Sequence, residues 1–318
     1  MDNHTTVSYF LLLEFSNSRH LQLLHFFFFF LLYLAIVTTN LLIICAVAFD
    51  HHLHSGMYFF LMNLALQDVG SVSVIVPKSM INSLLDTRHI SYFGCVAQVF
   101  LFVSFLGSNV SLLTVMAYDR YVAICHPLHY ETVMNWKACI EILMLVWVTS
   151  LLYGMLHTIG TFSFFFCSNV VNQFFCEIPQ LLKLSCSGFN LVEAGVLVAS
   201  ATAGLGCFTF IIVSYAMIFK AVLRISSEQG RQKALSTCIP HLIVVSMILL
   251  TGCFAYLIPP SNTPSYLDLW LTILYSLLPP LFNPIIYSMR NKNIKYVLWR
   301  LMAKGISAER LLQFLLHL

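Results

Sequence analysis

Long apolar runs alternate along this chain with short polar islands. About 30 Å of hydrocarbon takes roughly twenty apolar residues at 1.5 Å each, so runs of that length predict membrane-spanning helices. Seven qualify: His25–Phe49, Met57–Met80, Cys95–Ile124, Cys139–Phe162, Val196–Leu223, Leu235–Ile258 and Leu269–Ser288. The pattern predicts an all-α membrane protein. A seven-transmembrane helix bundle spans 25–288, with 1–24 before it and a tail, 289–318, after it. In the tail, Asn293–Met302 sets Lys295 and Arg300 among Ile294, Val297, Leu298 and Leu301, which suits a short amphipathic helix on the membrane surface. Phe26–Phe30 read as lipid contacts, and Gly204, Gly206 and Gly252 as small residues that let helices approach closely. Residues 1–22 lack the basic start, apolar run and cleavage site of a secretory signal, so the first span reads as an uncleaved anchor.

Composition agrees with the pattern. Hydrophobic residues make up 59% and charged ones 9%, too little charge for 318 residues to cover a water-facing surface. A net charge of +3 gives no reason to expect nucleic acid as a partner. The basic residues point instead to orientation. Arg120, Lys137, Lys220, Arg224, Arg231, Lys233, Arg290, Lys292, Lys295, Arg300, Lys304 and Arg310 fall on one side, and only Arg19, Lys78, Arg88 and Lys183 on the other. Basic loops stay inside, so the C-terminus is expected in the cytoplasm and the N-terminus outside, in a multi-pass plasma-membrane protein. Asn3-His4-Thr5 is then a candidate N-glycosylation acceptor, whereas Asn109-Val110-Ser111 lies within the third span, beyond reach of a transferase.

Few residues here carry chemistry. No HExxH or GxSxG pattern occurs, and the histidines sit mostly in loops, so no enzyme, metal site or cofactor is expected. Internal repeats of the kind transporters show are not evident. Cys95, Cys167, Cys176 and Cys186 fall on the expected outer side, where three pairings are open. Asp68 stands deep in the second span, which is costly unless the carboxylate is paired, protonated or bound to a cation. Asp119 and Arg120 follow about twenty uncharged residues, flanked by Tyr118 and Tyr121. They mark either a helix leaving the bilayer or a pair that closes in one state and opens in another.

Several strings resemble one family. Met116–Cys125 reads MAYDRYVAIC and is followed by His126-Pro127-Leu128-His129-Tyr130. Asn63–Asp68 reads NLALQD. Ser214-Tyr215 precedes Lys233-Ala234-Leu235-Ser236-Thr237-Cys238, and Asn283-Pro284-Ile285-Ile286-Tyr287 precedes Ser288-Met289-Arg290-Asn291. Together they resemble the class A G-protein-coupled receptors, and the olfactory receptors in particular, over residues 10–302.

The resemblance implies a receptor that binds a small, neutral, mostly apolar volatile within the bundle. It would activate a heterotrimeric G protein of the stimulatory, olfactory type and raise cyclic AMP. It implies disulfides Cys95–Cys176 and Cys167–Cys186, and a polar, sodium-linked network of Asn40, Asp68 and Asn283. Asn109 stands in that network where an acidic residue is usual. The implied ligand pocket is Phe102, Val103, Leu106, Gly107, Ala199, Ala203, Leu249, Gly252 and Tyr256. Phe102 occupies the position where amine receptors carry aspartate, which disfavours cationic ligands. The implied switch for G-protein coupling is Asp119, Arg120, Tyr121, Tyr215, Asn283, Pro284 and Tyr287. Asp119 would hold Arg120 at rest, while Tyr215 and Tyr287 would hold it in the active state. Gly56, Asn109, Pro240 and Leu249 depart from the family's usual residues, three of them in or beside moving parts.

Overall fold

A computed structural model describes residues 7–13, 18–50, 53, 55–186, 191–257, 266–290 and 294–297, with backbone only at 191–194, 253–257, 266, 289 and 290. Helices α1 (Arg19–Phe49), α2 (Gly56–Leu85), α3 (Tyr92–Cys125), α5 (Trp136–Phe162), α7 (Leu191–Leu223), α8 (Glu228–Leu257) and α9 (Tyr266–Arg290) are the seven spans. A four-residue helix, α4 (Tyr130–Val133), lies between α3 and α5, and α6 (Ile178–Lys183) between α5 and α7. All seven span helices begin ahead of their apolar runs, the first at Arg19 rather than His25. A helix satisfies its own backbone, so nothing makes it stop where the hydrocarbon does. Asn3 and the tail beyond residue 297 lie outside the described residues. Of the expected tail helix the structure describes one turn, residues 294–297, with Ile294 and Val297 buried.

Local chemistry sets several ends. Ser91 and Asn135 cap α3 and α5, accepting from the backbone N–H of Gly94 (3.1 Å) and Ala138 (2.9 Å). Asp86 closes α2 in the left-handed conformation (φ 53°) that short polar side chains tolerate. In α9, Pro284 has no N–H to give the carbonyl of Pro280 one turn earlier. Asn40 Nδ2 of α1 donates to that carbonyl instead, at 2.9 Å, tying the first span to the seventh.

At one end of the bundle, strand β1 (Tyr9–Leu11) pairs antiparallel with β2 (His89–Ser91), Phe10 opposite Ile90. The alternation of a strand turns Phe10 and Leu12 inward and leaves Tyr9 exposed. At and just after the end of β1, Leu11 and Leu13 donate their N–H groups to the carbonyls of Asn169 and Gln173 in the α5–α7 loop. Disulfides Cys95–Cys176 and Cys167–Cys186, with Cα–Cα 5.6 and 5.2 Å, hold that loop to α3 and to itself. The largest buried apolar cluster fills the opposite half, around Leu64, Leu112, Met116, Tyr215, Val244 and Tyr287.

Gly204, Gly206 and Gly252 do not mark close helix contacts: an added Cβ at any of them would meet nothing within 4 Å. A tight crossing is at Gly154, where a Cβ would lie 2.8 Å from the Phe100 carbonyl and against the Ser104 hydroxyl. α3 and α5 can approach there because the side chain is missing.

Candidate functional site

The charged pair sits at the end of α3 away from the disulfides. Asp119 and Arg120 are 2% and 4% exposed, so neither is a charge reaching out to water where a helix ends. Asp119 Oδ1 accepts a 2.8 Å bond from the Tyr130 hydroxyl of α4. Burial and the neighbouring carboxylate push the Tyr130 phenol well above its usual value, so it remains a donor. Gly56, at the start of α2, leaves room for this pair: an added Cβ would stand 3.3 Å from both Asp119 Oδ1 and the Tyr130 hydroxyl.

Among the described residues, Asp119 and Arg120 form no ion pair with each other. The resting pair expected above is therefore open here, because the carboxylate is turned to Tyr130. Arg120 remains within electrostatic reach of Asp119 and lies equally within reach of Tyr215, Tyr287, Cys238 and His241, from three further helices, and its Nε has no partner. The Tyr287 hydroxyl is likewise buried without one. Tyr121 points elsewhere, to His126 Nε2 at 3.1 Å.

His241 is a site residue that sequence reasoning missed. Fully buried behind Pro240, it places Nε2 2.9 Å from the Leu113 carbonyl and Nδ1 2.9 Å from the Tyr215 hydroxyl. A carbonyl only accepts, so Nε2 carries the proton and Tyr215 donates to Nδ1. One imidazole thus joins α3, α7 and α8. The sole sequence signal was a histidine inside an apolar span.

Nearer the middle, Asp68 is fully buried and accepts from Asn283 Nδ2 at 2.8 Å and Asn109 Nδ2 at 3.3 Å. Asn40 does not join it, being used on the Pro280 carbonyl. Gln67 donates to Ser108, and the carbonyl oxygens of Gln67, Asn109 and Asn283 have no partner.

The nine expected ligand residues are less closely gathered. Phe102 is buried edge-to-face on Phe175, ring centroids 5.1 Å apart, with the Tyr275 ring 6.4 Å away. Val103 packs with Val99 and Leu181 beneath the disulfide Cys95–Cys176. Leu106 and Gly107 are half-buried, and an added Cβ at Gly107 would lie 3.0 Å from Tyr153. Tyr153 packs on His157, which bonds Ser200 of α7 at 2.7 Å. Ala199 and Ala203 are exposed on α7, and Leu249 and Gly252 are half-buried on α8. Tyr256 belongs to the last turn of α8, its side chain outside the described residues. A groove of about 550 Å³ on the flank of α8, lined by Ile239, Ile243, Leu250 and Leu278 among others, is separate from this set.

Comparison with known proteins decides the family. The olfactory receptor family model matches residues 29–305. The chain belongs to the olfactory receptor family. Human olfactory receptor 14I1 is 49% identical over 306 residues, covering 96% of this chain and 98% of the relative. Human olfactory receptor 14C36 is 48% identical over 310 residues, covering 97% and 99%, and human olfactory receptor 14A16 is 46% identical over 303, covering 95% and 98%. The fold is that of squid rhodopsin, with a TM-score of 0.72 over 92% of this chain and 89% of that one at 16% identity. This olfactory receptor is thus a seven-span membrane protein of a G-protein-coupled receptor class, and that class is not enzymatic.

Proposed function

We propose that this receptor binds small neutral volatiles in the half of the bundle nearest the disulfides, and that occupancy activates a stimulatory, olfactory-type G protein at the Arg120 end. In this reading the disulfide end and the N-terminus face outside, the Arg120 end and C-terminus face the cytoplasm, and Asn3 carries a glycan. The excess of basic residues at the Arg120 end supports that orientation.

The observation that carries the reading is the Arg120 guanidinium, buried, unpaired at Nε and ringed by Tyr215, Tyr287 and His241. Leaving a charged donor incompletely bonded in low dielectric is expensive, so the site favours an incoming acceptor. Helix C-termini present free carbonyls, and a guanidinium offers several fixed donors to them. A G protein's terminal helix entering beside an outward-swung α8 would meet those needs. Ligand and G protein then strengthen one another's binding by the same factor.

For the ligand, Phe102, Val103, Leu106, Leu249 and the small residues offer apolar surface and no charge of their own. Burying roughly 200–250 Å² of a volatile gives about 5–6 kcal/mol, a Kd near ~0.1 mM. The test is a cyclic-AMP screen of neutral volatiles against protonated amines of matched size. Neutral compounds are expected to be the better agonists, and a clear preference for amines contradicts the pocket assignment.

A further inference from the structure

Glu177 is a buried carboxylate that neither the switch nor the apolar pocket uses. It follows Cys176 directly, and only 9% of it is exposed. Its Oε1 accepts a 2.5 Å bond from the Tyr275 hydroxyl, and its Oε2 a 3.4 Å bond from the Thr272 hydroxyl, both on α9. Gln173, four residues earlier in the same loop, donates to Thr272 Oγ1 at 2.9 Å and to the Asp268 carbonyl at 3.2 Å. On its other side the loop is held to α3 by the Cys95 disulfide and by the Cys176 N–H, which donates to Gln98 Oε1 at 2.8 Å. Residues 173–177 are thus a strap stretched between α3 and α9, with Glu177 as their one ionisable member. Phe175 of the strap and Tyr275, which holds Glu177, are the two rings standing against Phe102.

We propose that Glu177 is a positioning residue for the ligand site, docking the strap onto α9 when protonated and loosening it when ionised. The proposal rests on the ligand-site reading above for its functional meaning. The contact is rich in acceptors: Gln173 and Glu177 share the same Thr272 hydroxyl, and Gln173 Oε1 is buried with no partner. A neutral Glu177 brings a further O–H donor to it. The groups facing Glu177 are Asp268 and Tyr275 of α9 and Lys183 of α6, and the charges of Asp268 and Lys183 act in opposite directions. Burial is the largest influence and lifts the Glu177 carboxyl from 4.5 to about 7 against the bonds from Tyr275 and Thr272. A strap released to water would return it toward the ordinary value. The docked form therefore holds its proton more tightly. Docking is strongest at low pH and is lost progressively as pH rises toward 7, then levels off. From pH 6 to pH 8 the equilibrium shifts toward release by about tenfold.

The test is hydrogen–deuterium exchange of the full-length receptor in detergent, followed over residues 173–183 at pH 6 and pH 8 and scaled for intrinsic rates. It needs neither ligand nor G protein, so its failure and a failure of the functional reading are distinguishable. Protection in the wild type is expected to fall by up to about tenfold at pH 8, while Glu177→Gln keeps its pH 6 protection at both. Equal wild-type protection at the two values, or a parallel fall in Glu177→Gln, overturns the proposal. Should Glu177→Gln fail to fold, Tyr275→Phe decides. It removes a bond that favours the ionised form, so the midpoint of the wild-type profile must move to higher pH, and an unmoved midpoint rejects the latch.

Discussion

The two ends of the bundle hold their segments together in different ways. At the disulfide end, backbone N–H groups of Leu11, Leu13 and Tyr92 find carbonyls in other segments, and two cystines fix the loop that crosses there. At the Arg120 end, Arg120 Nε and the Tyr287 hydroxyl are buried with nothing to bond, and Asp119 is turned from its neighbour to Tyr130. A closed set of bonds specifies one shape, and changing it means breaking several at once. An open set has alternatives of similar energy, the condition for a two-state switch. On the proposed reading, the cross-linked end keeps its form apart from the Glu177 strap, and the Arg120 end is the one that exchanges partners.

Breaking the cross-link gives the largest expected effect. Cys95→Ser or Cys176→Ser removes a bridge that closes a long loop, a loss of about 2–5 kcal/mol. Surface staining of intact cells is expected to disappear for both variants. Normal staining of both would show that the disulfide end does not depend on its bridge.

At the other end the effects are smaller and should differ in sign. Tyr130→Phe removes a bond to a charged group, about 1.5–3 kcal/mol, and frees Asp119 to close on Arg120, so ligand-free cyclic-AMP signalling falls. Asp119→Asn removes the resting partner while keeping its shape, so ligand-free signalling rises. Changes in the same direction at equal surface density would contradict a competition between Tyr130 and Arg120 for Asp119.

The spans were legible because charge is so sparse: nothing interrupts 95–115, and hydrocarbon thickness does the rest. Pairing of the four cysteines at that end was not readable from their spacing, which left three choices. It took the family resemblance to choose Cys95 with Cys176. Tyr130 on Asp119, His241 on Leu113 and Glu177 on Tyr275 were illegible for a common reason. Each joins segments whose angular setting around the bundle no apolar run encodes. The β1–β2 pair was missed because three-residue strands leave almost no alternation to detect. The ligand residues came from the family resemblance alone, and the structure spreads them from buried Phe102 to exposed Ala199 and Ala203.

The central claim is that Arg120 is kept free to receive a partner. Arg120→Ala tests it directly, with cyclic AMP measured against agonist at matched surface density. The account predicts no agonist response, with surface expression largely retained because Arg120 Nε has no hydrogen-bond partner among the described residues. A normal dose–response curve at equal surface density would contradict it, and would reduce Asp119-Arg120 to the polar end of a membrane helix.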